Sequence, residues 1–404
     1  MLSPTVEHAR WFRRVVLILP CLLLGALATP HAARADDPPR AVTVDPKTPP
    51  TPGIDPTAWD EGDAGRPSGS KVTPLVAPIP FKNSQIGWGL VLMVGAIHRF
   101  DADTTVKPST GAIGGFYTEN KSWGLMALEM ARLGRDTWRL RGALSLMDLR
   151  YDFFGIGEDA GDAGISVPLG QRIGAAVGTA VRRIAPGLYA GGGVLWMQTT
   201  ARLRDELPPE LSSLESDLTQ TDLFALGLQG EYDTRDDDYW PTGGSLAVLK
   251  AWFFMDALGA SREFQRVLMG WSWYTRIRGE RLLLATNLAA AAASGDAPSY
   301  MLPSVGAGRF GLRGYTQGRY RDQVMTTAQA ELRWHSKRRF GAVTFFGFGQ
   351  VAPDLGGLRD ASLLPAGGLG LRYQLTREFP MHMRFDYAWG KNENVFYFSV
   401  VEAF

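Results

Sequence analysis

From about residue 75 onward the chain is written in period two. In "MHMRFDYAW" (381–389), Met381, Met383, Phe385, Tyr387 and Trp389 share one face, and His382, Arg384, Asp386 and Ala388 share the other. "TTAQAELRW" (326–334) opposes Ala328, Ala330, Leu332 and Trp334 to Thr327, Gln329, Glu331 and Arg333. "RVLMGWSWYTRIR" (266–278) sets Val267, Met269, Trp271, Trp273 and Ile277 against Arg266, Ser272, Tyr274, Arg276 and Arg278. A strand projects successive side chains to opposite faces, so each segment is a strand with one apolar and one charged wall. A soluble sandwich also alternates. Here the polar face carries large charges in segment after segment and the apolar face carries Trp, Met and Phe, as in a transmembrane barrel with lipid outside and a polar lumen. After residue 28 no run of eighteen apolar residues occurs, so no helix is expected to span a membrane.

The predicted fold is an all-β, 16-stranded antiparallel transmembrane barrel. Strands are expected near 75–82, 85–100, 110–119, 122–133, 136–151, 166–184, 187–203, 220–234, 243–258, 262–278, 281–294, 322–335, 340–351, 363–375, 381–390 and 395–404. An even count returns the chain to the side from which it started. Short connections at 184–187, 278–281 and 335–340 suit the periplasm, and long ones at 152–165, 203–220, 295–321 and 352–362 suit the exterior; 235–243 is long for a periplasmic turn. The first strand carries Pro74, Pro78 and Pro80, which cannot donate ladder hydrogen bonds, so its seam with the last strand is expected to be weakly paired. The last segment, "FYFSVVEAF", sets Phe396, Phe398, Val400 and Phe404 on one face, with Glu402 breaking the series.

The first 35 residues read as a secretory signal. Arg10, Arg13 and Arg14 precede the apolar stretch 15–28, and "ARA" precedes cleavage after Ala35. The one cysteine, Cys21, follows Pro20 within that stretch, where a lipidation site would need a small residue, so the mature chain is expected to hold no disulfide or thiolate site. Residues 36–74, crowded with Pro, Asp, Gly and Thr, read as a disordered linker, and 75–404 as the barrel. The net charge of +1 gives no argument for nucleic acid.

The long loop before the twelfth strand contains "GLRGYTQGRYRD" (311–322). Together with "YDTRDDDYWPTGG" (232–244), "YDFFGIGED" (151–159) and the series "GGLGLRYQL", "MRFDYAWG" and "FYFSVVEAF", it resembles the BamA/TamA-type family, the bacterial surface-antigen superfamily of outer-membrane assembly barrels. The resemblance covers about 75–404. It implies a loop folded into the lumen, whose arginine, here Arg313, pairs with inward acids. It also implies the terminal-aromatic insertion signal at Phe396, Phe398, Val400 and Phe404. Gly314 and Tyr315 complete the loop motif. This chain departs from the family in two respects. It carries a linker where family members carry POTRA domains, and Gly347 stands where the family's usual strand acid would align. By alternation Asp386, and then Glu331, are the inward carboxylates left to meet Arg313. Glu231, Asp233 and Arg235 end their strand inward and read as lumen-wall ion pairs more readily than as a cation or client site.

His98, His335 and His382 are the candidate bases of the folded region, but no serine completes a relay and no G-x-S-x-G or H-E-x-x-H occurs. The chain is therefore expected not to be an enzyme and to use no metal or cofactor. The resemblance implies a bacterial outer-membrane protein that assists insertion or transport of proteins or lipids through a seam able to open. A passive pore or structural surface barrel is the alternative. Expected partners are outer-membrane lipids and, during biogenesis, the barrel assembly machinery; a separate periplasmic chain docking on the linker is a third reading.

Overall fold

The computed structural model describes residues 72–100, 107–204, 220–279, 281–306, 308–336, 339–375, 382–400 and 402–404. The expected leader (1–35) and nearly all of the expected linker lie outside them. Sixteen strands are present: β1 (Val72–Asn83), β2 (Gly87–His98), β3 (Ser109–Thr118), β4 (Trp123–Leu133), β5 (Trp138–Phe153), β6 (Val167–Ala185), β7 (Leu188–Leu203) and β8 (Gln220–Asp233) make the first half. The second half is β9 (Gly244–Phe254), β10 (Phe264–Arg278), β11 (Leu282–Gly295), β12 (Val324–His335), β13 (Phe340–Ala352), β14 (Leu364–Gln374), β15 (His382–Gly390) and β16 (Glu393–Val400). A one-turn helix, α1 (Glu158–Ala163), lies in the β5–β6 loop. Each strand pairs antiparallel with its neighbours in sequence, and β16 meets β1 to close the barrel.

Alternation decides which wall each side chain joins. Leu90, Leu92 and Val94 on β2, Leu144 and Leu146 on β5, and Leu369 and Leu371 on β14 are exposed on the outer face. So many exposed aliphatic side chains on one continuous surface mean lipid rather than water. The opposite positions hold the buried charges Arg139, Glu231, Glu331, Arg333, Arg372 and Asp386, all in the lumen.

Four expectations need correction. The barrel begins at Val72, so the predicted 74/75 boundary falls inside β1, and Pro74, Pro78 and Pro80 all pair with β2, opposite Ala96, Leu92 and Leu90. β9 ends at Phe254 rather than 258, because Asp256–Leu258 tighten into a 3-10 turn closed by Gly259 at φ 91°. β12 starts at Val324, two residues late. The last strand runs 393–400, and the chain then leaves the wall. Phe396, Phe398 and Val400 stand on the outer face opposite Tyr387, Phe385 and Met383. Phe404 does not continue that series. It is buried beside Tyr274, Leu283 and Ala285 on the inner wall, because Glu402 turns inward to Arg372 and draws the last residues with it.

The seam differs from every other junction. β1 follows β2 through twelve residue pairs, and β15 follows β16 through eight, but among the described residues β1 and β16 share one, Lys82 opposite Phe398. Strand polar groups alternate edges with the same period as side chains, so three prolines of one parity point their nitrogens to one edge. The edge toward β2 carries the long ladder, which assigns the donor-poor edge to β16. Lys82 closes the gap from outside, its ammonium 5.4 Å from the Trp88 ring centre and 5.8 Å from that of Phe396.

Candidate functional site

The connection from β11 to β12, residues 296–323, folds back into the barrel. Its apolar side chains Val305, Leu312, Tyr315 and Tyr320 pack on the inner wall against Met325, Val351, Leu364 and Ala366. This footing buries the backbone, which then needs partners of its own. Gly314 sits at φ 113°, and a β carbon there would lie 2.8 Å from the Trp389 carbonyl oxygen, so only glycine lets the loop approach β15 this closely. The Gly314 N–H donates to the Tyr397 hydroxyl at 3.0 Å. The Tyr315 hydroxyl donates to the Pro365 carbonyl at 2.6 Å, and Thr316 donates from its N–H and hydroxyl to Glu393. At the outer end, Tyr320 and Lys391 both donate to Asp162 of α1, at 2.9 and 2.7 Å.

Arg313 reaches between two strands. Its Nη1 donates to Asp386 on β15 at 2.6 Å, its Nη2 donates to Glu331 on β12, and the guanidinium lies 3.6 Å over the Phe345 ring on β13. Burial alone would lower its basicity, but Glu331 and Asp386 overcome that and hold the cation above its ordinary value. Two carboxylates in fork geometry fix a guanidinium in direction as well as charge.

The structure thus brings Arg313, Gly314, Tyr315, Asp386 and Glu331 together, and it adds residues the sequence reading did not name for the loop. Arg333 donates to Glu331; Arg372 donates to Asp386 at 2.6 Å and to Glu402 at 2.8 Å; Arg384 lies 3.6 Å from Asp386. Arg333 also donates to the Phe404 carbonyl at 3.1 Å. The inward parity of Arg333 and Arg384 was a signal for this network, and so was Glu402, which sits out of place on an apolar face.

Gly347 explains why no acid is needed from β13. It faces the lumen, and a β carbon on it would fall 2.4 Å from the Ala328 carbonyl and 2.7 Å from Leu312 of the loop. The space an acid would take is filled by the loop's leucine, and Phe345, two residues earlier on the same face, covers the guanidinium instead.

A second charged belt lies at the rim that carries the β4–β5 and β8–β9 connections. Glu231 accepts from Arg139 and Arg141, Asp233 from Arg139 and Arg235, and Asp238 from Arg132 and Lys107. Each of these three acids is matched by two cations, which makes this stretch a wall of ion pairs. Of the three histidines among the described residues, His98 lies 3.2 Å from Glu129. His335 and His382 pack around Trp240, with ring centres 6.0 and 4.2 Å from it, which is a packing role.

Replacing Arg313 by alanine leaves buried carboxylates short of a cation, at a cost of about 3 kcal/mol or more. Arg313→Ala is expected to lower the temperature at which the folded band is lost on unheated-versus-heated gels, and Arg313→Lys to fall between, since an ammonium cannot fork. A transition equal to the wild type in the alanine variant would count against the pairing. Gly347→Asp is expected to push Leu312 off β13 and lower the same transition; an unshifted transition would show that the loop does not hold this position.

Residues 132–404 match the Omp85 superfamily domain, a span that starts at the end of β4. Among curated proteins no match in sequence is found. BamA from Haemophilus ducreyi lacking POTRA domains 1–3 is similar at 17% identity and a TM-score of 0.56, over 82% of this chain and 70% of that one. CdiB from Escherichia coli is similar at 13% identity and a TM-score of 0.58, over 82% of this chain and 62% of that one, so this chain spans less than two thirds of it. At these identities the two structures speak for the fold. The family match covers well over half of the sequence and agrees with the closed barrel: the chain belongs to the Omp85 superfamily of outer-membrane barrels.

Proposed function

We propose that this barrel assists insertion or transport of proteins or lipids at the bacterial outer membrane by opening between β1 and β16. The observation that carries the reading is the seam, which among the described residues has one register pair where the neighbouring junctions have eight or more. A closed barrel hides every strand edge, so an edge short of donors is the place where separation costs least. An opened edge offers unpaired backbone to an incoming strand, and it disturbs the lipid beside Trp88 and Phe396.

The function needs no catalysis, metal or cofactor in this reading. The leader 1–35 delivers the chain to the periplasm, the barrel assembly machinery inserts it, and the segment between the leader and β1, residues 36–71, is where a separate periplasmic chain would dock. A freely conducting pore is disfavoured by the loop seated across the lumen.

The register names the crosslink. Lys82→Cys with Phe398→Cys places two thiols at facing positions of adjacent strands, within disulfide range. The oxidised double variant is expected to lose its ability to speed barrel insertion into liposomes and to regain it on reduction. Full activity in the oxidised form would end the lateral-opening reading.

A further inference from the structure

A cavity of about 290 Å³ lies in the extracellular half of the lumen, between the inner walls of β5, β6 and β10 and the folded-in loop. Two guanidiniums line it, Arg266 from β10 and Arg321 from the loop, with Gln85, Gln171, Ser304 and Gln317. No carboxylate lines it among the described residues. Elsewhere among the described residues Arg313, Arg333 and Arg372 near the loop tip, and Arg139 and Arg235 at the rim, each meet an acid.

Arg321 is braced by neutral groups. Its Nε and Nη1 donate to the Gly318 and Ser299 carbonyls at 3.0 and 3.1 Å, and its guanidinium lies 4.8 Å from the Phe153 ring centre. Burial pushes this guanidinium below its ordinary value, opposed only by the Tyr151 phenol. Alone, Arg321 would be a brace for the loop. Arg266 is different: its Nη1 contacts the Met301 sulfur at 4.0 Å, a weak acceptor, and no ion pair to it occurs among the described residues. The two guanidiniums line one cavity with no carboxylate among its described lining residues, and guanidinium donors match oxyanions in spacing and direction.

We propose that this cavity is an anion site that takes a small phosphate-type oxyanion, of phosphate to pyrophosphate size, from solution. The volume stands at the lower limit for small-molecule sites, about 300 Å³. Its place inside the lumen keeps lipid-borne headgroups out while the wall is closed. Nothing in the seam reading requires it.

The test is calorimetric titration of sodium pyrophosphate into the full barrel in zwitterionic detergent at low salt. Saturable one-to-one uptake is expected, weakened at least about tenfold in Arg266→Gln, as loss of a charged hydrogen-bond donor predicts. Should that variant fail to insert, competition on the unaltered protein decides: sulfate is expected to displace pyrophosphate, and glycerol is not. Absent or non-saturable uptake by the wild type, equal uptake by a folded Arg266→Gln, indifference to sulfate, or a response to phosphatidylglycerol micelles in place of pyrophosphate would each overturn the proposal.

Discussion

The lumen is organised by one problem, how to keep charges inside a wall that faces lipid. Arg313 answers it at the centre. Its two carboxylates belong to β12 and β15, with β13 and β14 between them, so a single guanidinium ties together positions distant in the sheet. Buried ion pairs add little net stability compared with a well-packed apolar core, because both charges lose water. What they add is position. A loop held only by Val305, Leu312 and Tyr320 is free to slide along the wall; the fork at Arg313 lets it sit in one place.

The same network reaches the end of the last strand. Glu402 leaves the outer series for Arg372, and the carbonyl of Phe404 takes a hydrogen bond from Arg333. Glu402 and Phe404 are therefore held by the lumen, while β1 has one register position with β16 among the described residues. These two contacts anchor the C-terminal residues to β14 and β12, and neither reaches across to β1.

Much of this was legible in the sequence. Period-two segments with charges on one face gave the number of strands and their inward parity, since a strand has only two faces and lipid tolerates one kind. That parity alone put Asp386 and Glu331 inside. Three things escaped it. Strand ends shifted by one to four residues, because turns such as the one at Asp256–Leu258 are set by local geometry. The course of Phe404 escaped because alternation assumes the strand continues, and Glu402 ended it. Phe345 escaped because a search for an acid on β13 overlooks a ring, although a ring face suits a cation as well.

The contacts of the folded-in loop have a geometric consequence at the seam. The loop holds Tyr397 and Glu393 of β16 through Gly314 and Thr316, while the N–H of Gln317, the very next residue, donates to Ser84 in the β1–β2 turn. Three contacts within four residues thus stitch the two lips of the barrel together from within. If β1 and β16 part, the stitch must fail on one lip, and the loop travels with the other. The gap in the wall and the obstruction in the bore are then a single moving part.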